Sequence, residues 1–174
     1  MKVDAAPTRR QKPKGNCDVN ILSLTTNVPY GYTKDPENPK CWLVDEDAAQ
    51  VVKRIFSLCM EGRGPSQIAT LLTSEGVLNP TAYHRKEGRN TPGQESEKPH
   101  KWQQTTIVKI LERREYTGCI VNFKTYTNSI WDKKQRKNPV ENQAVFYGTH
   151  PVIIDVEVSD RECLWMSVNG IINQ

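Results

Sequence analysis

Apolar positions recur at helical spacing in three stretches of the chain. Ala48, Val51, Val52, Ile55, Leu58 and Cys59 form one stripe with the period of an α-helix. Asp45 stands ahead of that stripe as an N-cap, and Glu46 and Asp47 place negative charge at the positive end of the helix dipole. Gly62 suits the residue just past the C-terminus. The spacing therefore predicts a helix over 45–61. Pro65 suits a first helical turn, with Ile68, Ala69, Leu71 and Leu72 as the apolar face and Gly76 as the stop of a second helix. A third helix is predicted over 103–114. At about 100° per residue, Ile107, Ile110 and Leu111 share one sector. Thr105, Lys109, Glu112 and Arg113 fall opposite, flanked by Thr106 and Val108.

Elsewhere the period shortens to two, or no period is found. Alternation at Tyr30 and Tyr32, and again at Trp42 and Val44, predicts two short strands joined by a turn over 35–40, with Pro29, Pro36 and Pro39 forbidding a helix. Residues 116–127 read as a strand and AVFYGTHPVII as its partner, with the charged segment WDKKQRKNPVENQ between them as a hairpin or loop. Residues 77–101 are polar and turn-rich and read as one long loop. Residues 1–26 read as a flexible arm or linker remnant, 27–155 as the folded domain, and 156–174 as a divergent tail without firm structure. The expected class is α+β: a helical, winged helix-turn-helix-like DNA-binding domain with a small antiparallel β-sheet. In such units one helix lies in the major groove, ~12 Å wide, and a β-ribbon touches the backbone.

Composition narrows the classes. A chain of 174 residues with 36% hydrophobic and 25% charged residues can bury one core. No apolar run approaches the ~20 residues that span a bilayer, and the basic start has no apolar stretch behind it. A membrane protein, a secreted mini-protein and a repeat chain are thereby excluded as expectations. The five cysteines form no C-x-x-C pair, and the three histidines supply no ligand spacing. No metal, no cofactor, and reduced thiols in a cytoplasmic, nucleoid-associated protein are expected.

The net charge of +4 is unevenly spread. Residues 1–40 carry a net +3, 41–80 a net −2, 81–150 a net +6 and 151–174 a net −3. Positive charge thus gathers around the third helix, which fits double-stranded DNA as partner. Arg85, Lys86, Arg89 and Lys101 precede that helix, and Lys133, Lys134, Arg136 and Lys137 follow the first strand after it. These are candidates for phosphate contacts. Gln103 and Gln104 can pair with adenine, and Thr105, Thr106, Lys109 and Arg113 offer hydroxyls and cations to base edges or phosphates. Tyr30, Tyr32, Trp42, Trp102 and Tyr116 could stack on bases, but they sit at element boundaries, where packing at the edge of the core is expected instead. Asp45, Glu46 and Asp47 are the one carboxylate cluster a stand-alone metal-dependent nuclease could use, and helix capping explains them more simply.

The run from Pro29 through Val77 resembles the recombinase domain of large serine recombinases, the site-specific integrases of the resolvase–invertase superfamily. The similarity rests on PYGY, on G-x-G-x-S-x-I-A-x-x-L from Gly62 onward, on W-x-x-x-T-I-x-x-I-L from Trp102 to Leu111, and on Y-x-G at Tyr116. It covers about 27–155. The resemblance implies a domain that grips an attachment or terminal-repeat site during integration of a mobile element. It also implies a catalytic serine domain before it and a zinc ribbon after it. Neither is legible in this sequence: Ser23, the only serine in residues 1–26, lies in an apolar stretch, and the ribbon cysteines are missing. Residues 11–26 and 156–174 depart from the family pattern. The expectation is therefore a DNA-binding module that is not itself an enzyme. The alternative is a truncated regulatory or inhibitory copy that meets an intact recombinase as a second partner.

Overall fold

The structure is a computed structural model. It describes residues 28–39, 41–89, 91, 98–127 and 134–159. The expectations for 1–26, for the tail beyond 159 and for Lys133 lie outside the described residues. Helices α1 (Glu46–Met60), α2 (Pro65–Ser74) and α4 (Gln104–Leu111) pack against one another. Their shared core is built from Val52, Ile55, Phe56, Ile68, Leu72, Ile107 and Leu111. Each such side chain contributes roughly 1.5–3 kcal/mol when fully withdrawn from water. Asp45 caps α1 by accepting from the Ala48 amide at 3.4 Å. Pro65 opens α2, where the Gln67 side chain accepts from the Gly64 amide at 3.1 Å. No helix among the described residues is long and apolar enough to cross a membrane.

Among the described residues, three two-stranded antiparallel ribbons complete an α+β architecture. Strands β1 (Tyr32–Lys34) and β2 (Trp42–Val44) pair with Thr33 opposite Leu43. Strands β3 (Ile120–Asn122) and β6 (Ala144–Phe146) pair with Val121 opposite Val145, and β4 (Thr125–Tyr126) pairs with β5 (Arg136–Lys137).

Two expectations need correction. The loop expected over 77–101 contains a helix, α3 (Pro80–Lys86), capped by Asn79 accepting from the Ala82 amide at 2.9 Å. None of its residues is fully buried, so it leaves no apolar period to read. The strand expected over 116–127 is broken. Residues Arg114–Thr117 form a 3₁₀ turn, and Phe123, with φ of 59°, separates β3 from β4. Only Gly adopts that region freely, and a phenylalanine gives no warning of it. At the C-terminal end of the described residues, the backbone turns helical again at 156–159.

The 3₁₀ turn ties the two ends of the domain together. The Tyr116 hydroxyl donates to the Tyr30 carbonyl at 2.8 Å, and the Tyr116 carbonyl accepts from the amides of Ile153 and Ile154 at 3.0 and 3.1 Å. The Tyr32 hydroxyl donates to the Pro151 carbonyl at 2.8 Å. Burial pushes the phenols of Tyr30, Tyr32 and Tyr116 above their ordinary value, so Tyr32 and Tyr116 remain donors. Gly31 sits inside this junction with φ of 98°, and a Cβ there would meet Ile153 Cδ1 at 3.2 Å and Val52 Cγ2 at 3.3 Å. The PYGY motif is thus a close-packing device. The five aromatics expected at the edge of the core are all buried in it.

Reduced thiols throughout were expected, and Cys41 departs from this: it is disulfide-bonded. An odd cysteine count excludes a complete framework but not one bridge. Cys59 and Cys119 are buried thiols.

His150 is buried between these elements. Its Nε2–H donates to the Glu115 carbonyl at 2.6 Å, which leaves Nδ1 to accept from the Thr149 hydroxyl at 2.8 Å. Both ring nitrogens are satisfied in the neutral form. Burial lowers its pKa below 6.5, and burial followed by the Arg89 charge does the same for His84. Between 6.5 and these lowered values, the unfolded chain binds more protons than the folded one. Stability is therefore expected to be fully present above pH 6.5 and to fall as pH drops below it. Urea midpoints measured from neutral pH down to the carboxylate range would show the decline, and it should shrink in His150→Gln. A flat profile would contradict the assignment.

Candidate nucleic-acid interface

Helix α4 keeps the orientation that its spacing predicts. Ile107, Ile110 and Leu111 are buried, while Gln103, Gln104, Thr105 and Lys109 are exposed. Thr106, Val108 and Arg113 are half-buried at the margins. The helix is shorter than expected at its C-terminal end, because Arg113 leads into the 3₁₀ turn. Trp102 fixes its start. The indole N–H donates to the Val77 carbonyl and the Trp102 amide donates to the Thr73 hydroxyl, both at 3.0 Å. The ring packs edge-on to Tyr30 with centroids 6.2 Å apart.

Alongside the start of α4 runs an open groove of about 650 Å³. Its wall on one side is α3 and on the other the approach to α4. Arg85, Lys86, Lys98, Lys101, Gln103 and Thr106 line it. Five of these belong to the expected set. Lys98 does not, although it lies in the same basic stretch before Trp102, and that proximity could have identified it. Among the described residues no carboxylate lines the groove. Four cations on one concavity make a site for a polyanion. Gln103 caps α4 without a side-chain bond to its amides, so the positive end of the helix is open on the same side.

Not every expected residue joins this surface. The Arg89 guanidinium turns to the core side. It donates to the Tyr32 carbonyl at 3.0 Å, meets His84 Nδ1 at 3.1 Å and lies 3.8 Å from the Asp45 carboxylate. Asp45 also accepts from the Tyr83 hydroxyl at 2.8 Å, so α3 is moored to the start of α1. Lys134 is exposed, and Arg136 and Lys137 lie on β5, opposite Tyr126 and Thr125. None of the three lines the groove. Among the described residues no group of histidines, cysteines and carboxylates is placed to hold a metal ion.

The family model described as Recombinase matches residues 46–162. The chain belongs to the Recombinase family. The match begins at the first residue of α1 and takes in all three packed helices, the groove and every ribbon except β1–β2. Membership gives the Recombinase domain a recombination-related role and points to interaction with DNA. An uncharacterized protein, YefB of Bacillus subtilis (strain 168), is 35% identical over 84 residues, which cover 48% of this chain and 25% of that protein. The chain thus matches only about a quarter of that relative's length. No solved structure matches this chain.

Proposed function

We propose that this chain is the DNA-binding module of a site-specific serine recombinase of the resolvase–invertase type, acting in the cytoplasm on the nucleoid. In this reading α4 is the recognition helix of a winged helix-turn-helix-like unit and enters the major groove. The cationic groove beside it grips phosphates, and the β4–β5 ribbon reaches the backbone as a wing. Cleavage of DNA falls to a separate serine-bearing segment, and this module supplies position alone. The observation that carries the reading is the convergence of Arg85, Lys86, Lys98 and Lys101 next to the open N-terminus of α4. One feature is unusual for such a unit. The connection from α2 to α4 runs from Glu75 to Gln103 and carries α3, where a helix-turn-helix has a turn of about 3–4 residues. That insertion builds one wall of the groove.

Binding to duplexes selected from a random pool, and to scrambled controls, tests the proposal across a salt series. Lys109→Ala is expected to lose about 1–3 kcal/mol against the selected duplexes and far less against scrambled ones. Lys86→Ala or Lys101→Ala should weaken both equally and flatten the salt dependence by about one phosphate contact. An unchanged discrimination in Lys109→Ala would remove α4 from the recognition role, and absence of duplex binding at low salt would sink the whole reading.

A further inference from the structure

Phe123 combines three properties that rarely meet in one residue. It is 59% exposed, it has φ of 59°, and it sits between two strands beside Lys124. A bulky residue in the left-handed region costs roughly 1–2 kcal/mol relative to glycine, and an aromatic ring in water returns nothing to offset it. The backbone is held there from outside. The Asn138 side chain donates to the Phe123 carbonyl at 2.9 Å, and the Asn138 amide donates to the Lys124 carbonyl at 2.9 Å. Asn138 is itself braced, donating to Asn142 at 3.2 Å and accepting from Gln143 at 2.8 Å. A second ring follows at Tyr126, 43% exposed and directly opposite Arg136 in the ribbon.

We infer that Phe123, with Tyr126 three residues further on, is an aromatic wedge that packs against or between base pairs of duplex DNA. The inference rests on the proposed DNA-binding role. It adds a contact mode that phosphate gripping does not supply. Charge selects the occupant. Residues 123–141 hold Lys124, Lys133, Lys134, Arg136 and Lys137 against Asp132 and Glu141, and Lys124 pairs with the buried Glu115. An apolar protein partner gains nothing from that net positive charge, whereas a polyanion with stackable bases uses both features. Wedges of this kind unstack a base step and bend the duplex.

The test uses the full chain and short random-sequence duplexes carrying a fluorescent base analogue that brightens when unstacked. Phe123→Gly removes the ring and relieves the backbone, so its unfolding midpoint should hold or rise. The same variant should bind about fivefold or more weakly and abolish the brightening. Phe123→Trp should retain both. If wild type binds duplex while Phe123→Gly binds and brightens identically, the wedge is refuted and the groove survives. Concentration-dependent self-association of wild type that Phe123→Gly abolishes, with DNA binding unchanged, would refute the wedge in favour of a contact between copies. Absence of any duplex binding by wild type would instead refute the proposed function.

Discussion

Trp102→Ala should lose about 3–5 kcal/mol of folding stability, the range for deleting a buried indole. The ring is buried against Tyr30 and its N–H satisfies the Val77 carbonyl at the end of α2's exit turn. Removing it opens a cavity under the start of α4 and leaves that carbonyl without its donor. Trp102→Phe separates the two contributions. It keeps most of the apolar area and should lose about 1–3 kcal/mol, the cost of an unsatisfied buried polar group plus incomplete filling. Urea unfolding followed by far-ultraviolet circular dichroism reads both variants. Equal losses would mean that the hydrogen bond decides, and a loss below about 1 kcal/mol in Trp102→Ala would mean that the helix is held by other contacts.

Gly118→Ala should be nearly as damaging, for a different reason. Gly118 has φ of 78°, and a Cβ built there would lie 2.9 Å from Val152 Cγ2 and 3.0 Å from the His150 carbonyl oxygen. The valine methyl could rotate aside, but the carbonyl belongs to the backbone and is held by its neighbours. The left-handed conformation costs roughly 1–2 kcal/mol for a residue with a Cβ, and overpacking adds about 1–3 kcal/mol. A fall in the urea midpoint equivalent to about 2–4 kcal/mol is expected. Gly148, with φ of 66° but nothing near a built Cβ, is the control. Its alanine variant should lose only the conformational part. If the two variants lose equally, the close approach to His150 is not what demands glycine at 118.

These two residues show what a linear reading can and cannot reach. The three packed helices were legible because each carries an apolar stripe with a cap or breaker at its end. Asp45 and Ile107 are read correctly from spacing alone. The short helix α3 was illegible because none of its seven residues is fully buried, so no apolar stripe repeats along it. The break at Phe123 was illegible because it is imposed by Asn138, fifteen positions away. The charges of the candidate interface could be read as a cluster, and five of the expected residues do meet at one groove. Arg89 could not be told apart from Arg85 and Lys86, since its partners, the Tyr32 carbonyl and Asp45, are remote in sequence. Charge can be counted along a chain, but the direction in which a guanidinium turns is decided by tertiary neighbours.

Tyr116 joins the inbound segment at Tyr30 to the outbound segment at Ile153 and Ile154. In polymer terms this closes a loop of the chain between Tyr30 and Ile154. Fraying usually begins at a terminus and proceeds independently from each side. Here the two flanks share a direct hydrogen bond, from the Tyr32 hydroxyl to the Pro151 carbonyl, so opening either flank loosens the other.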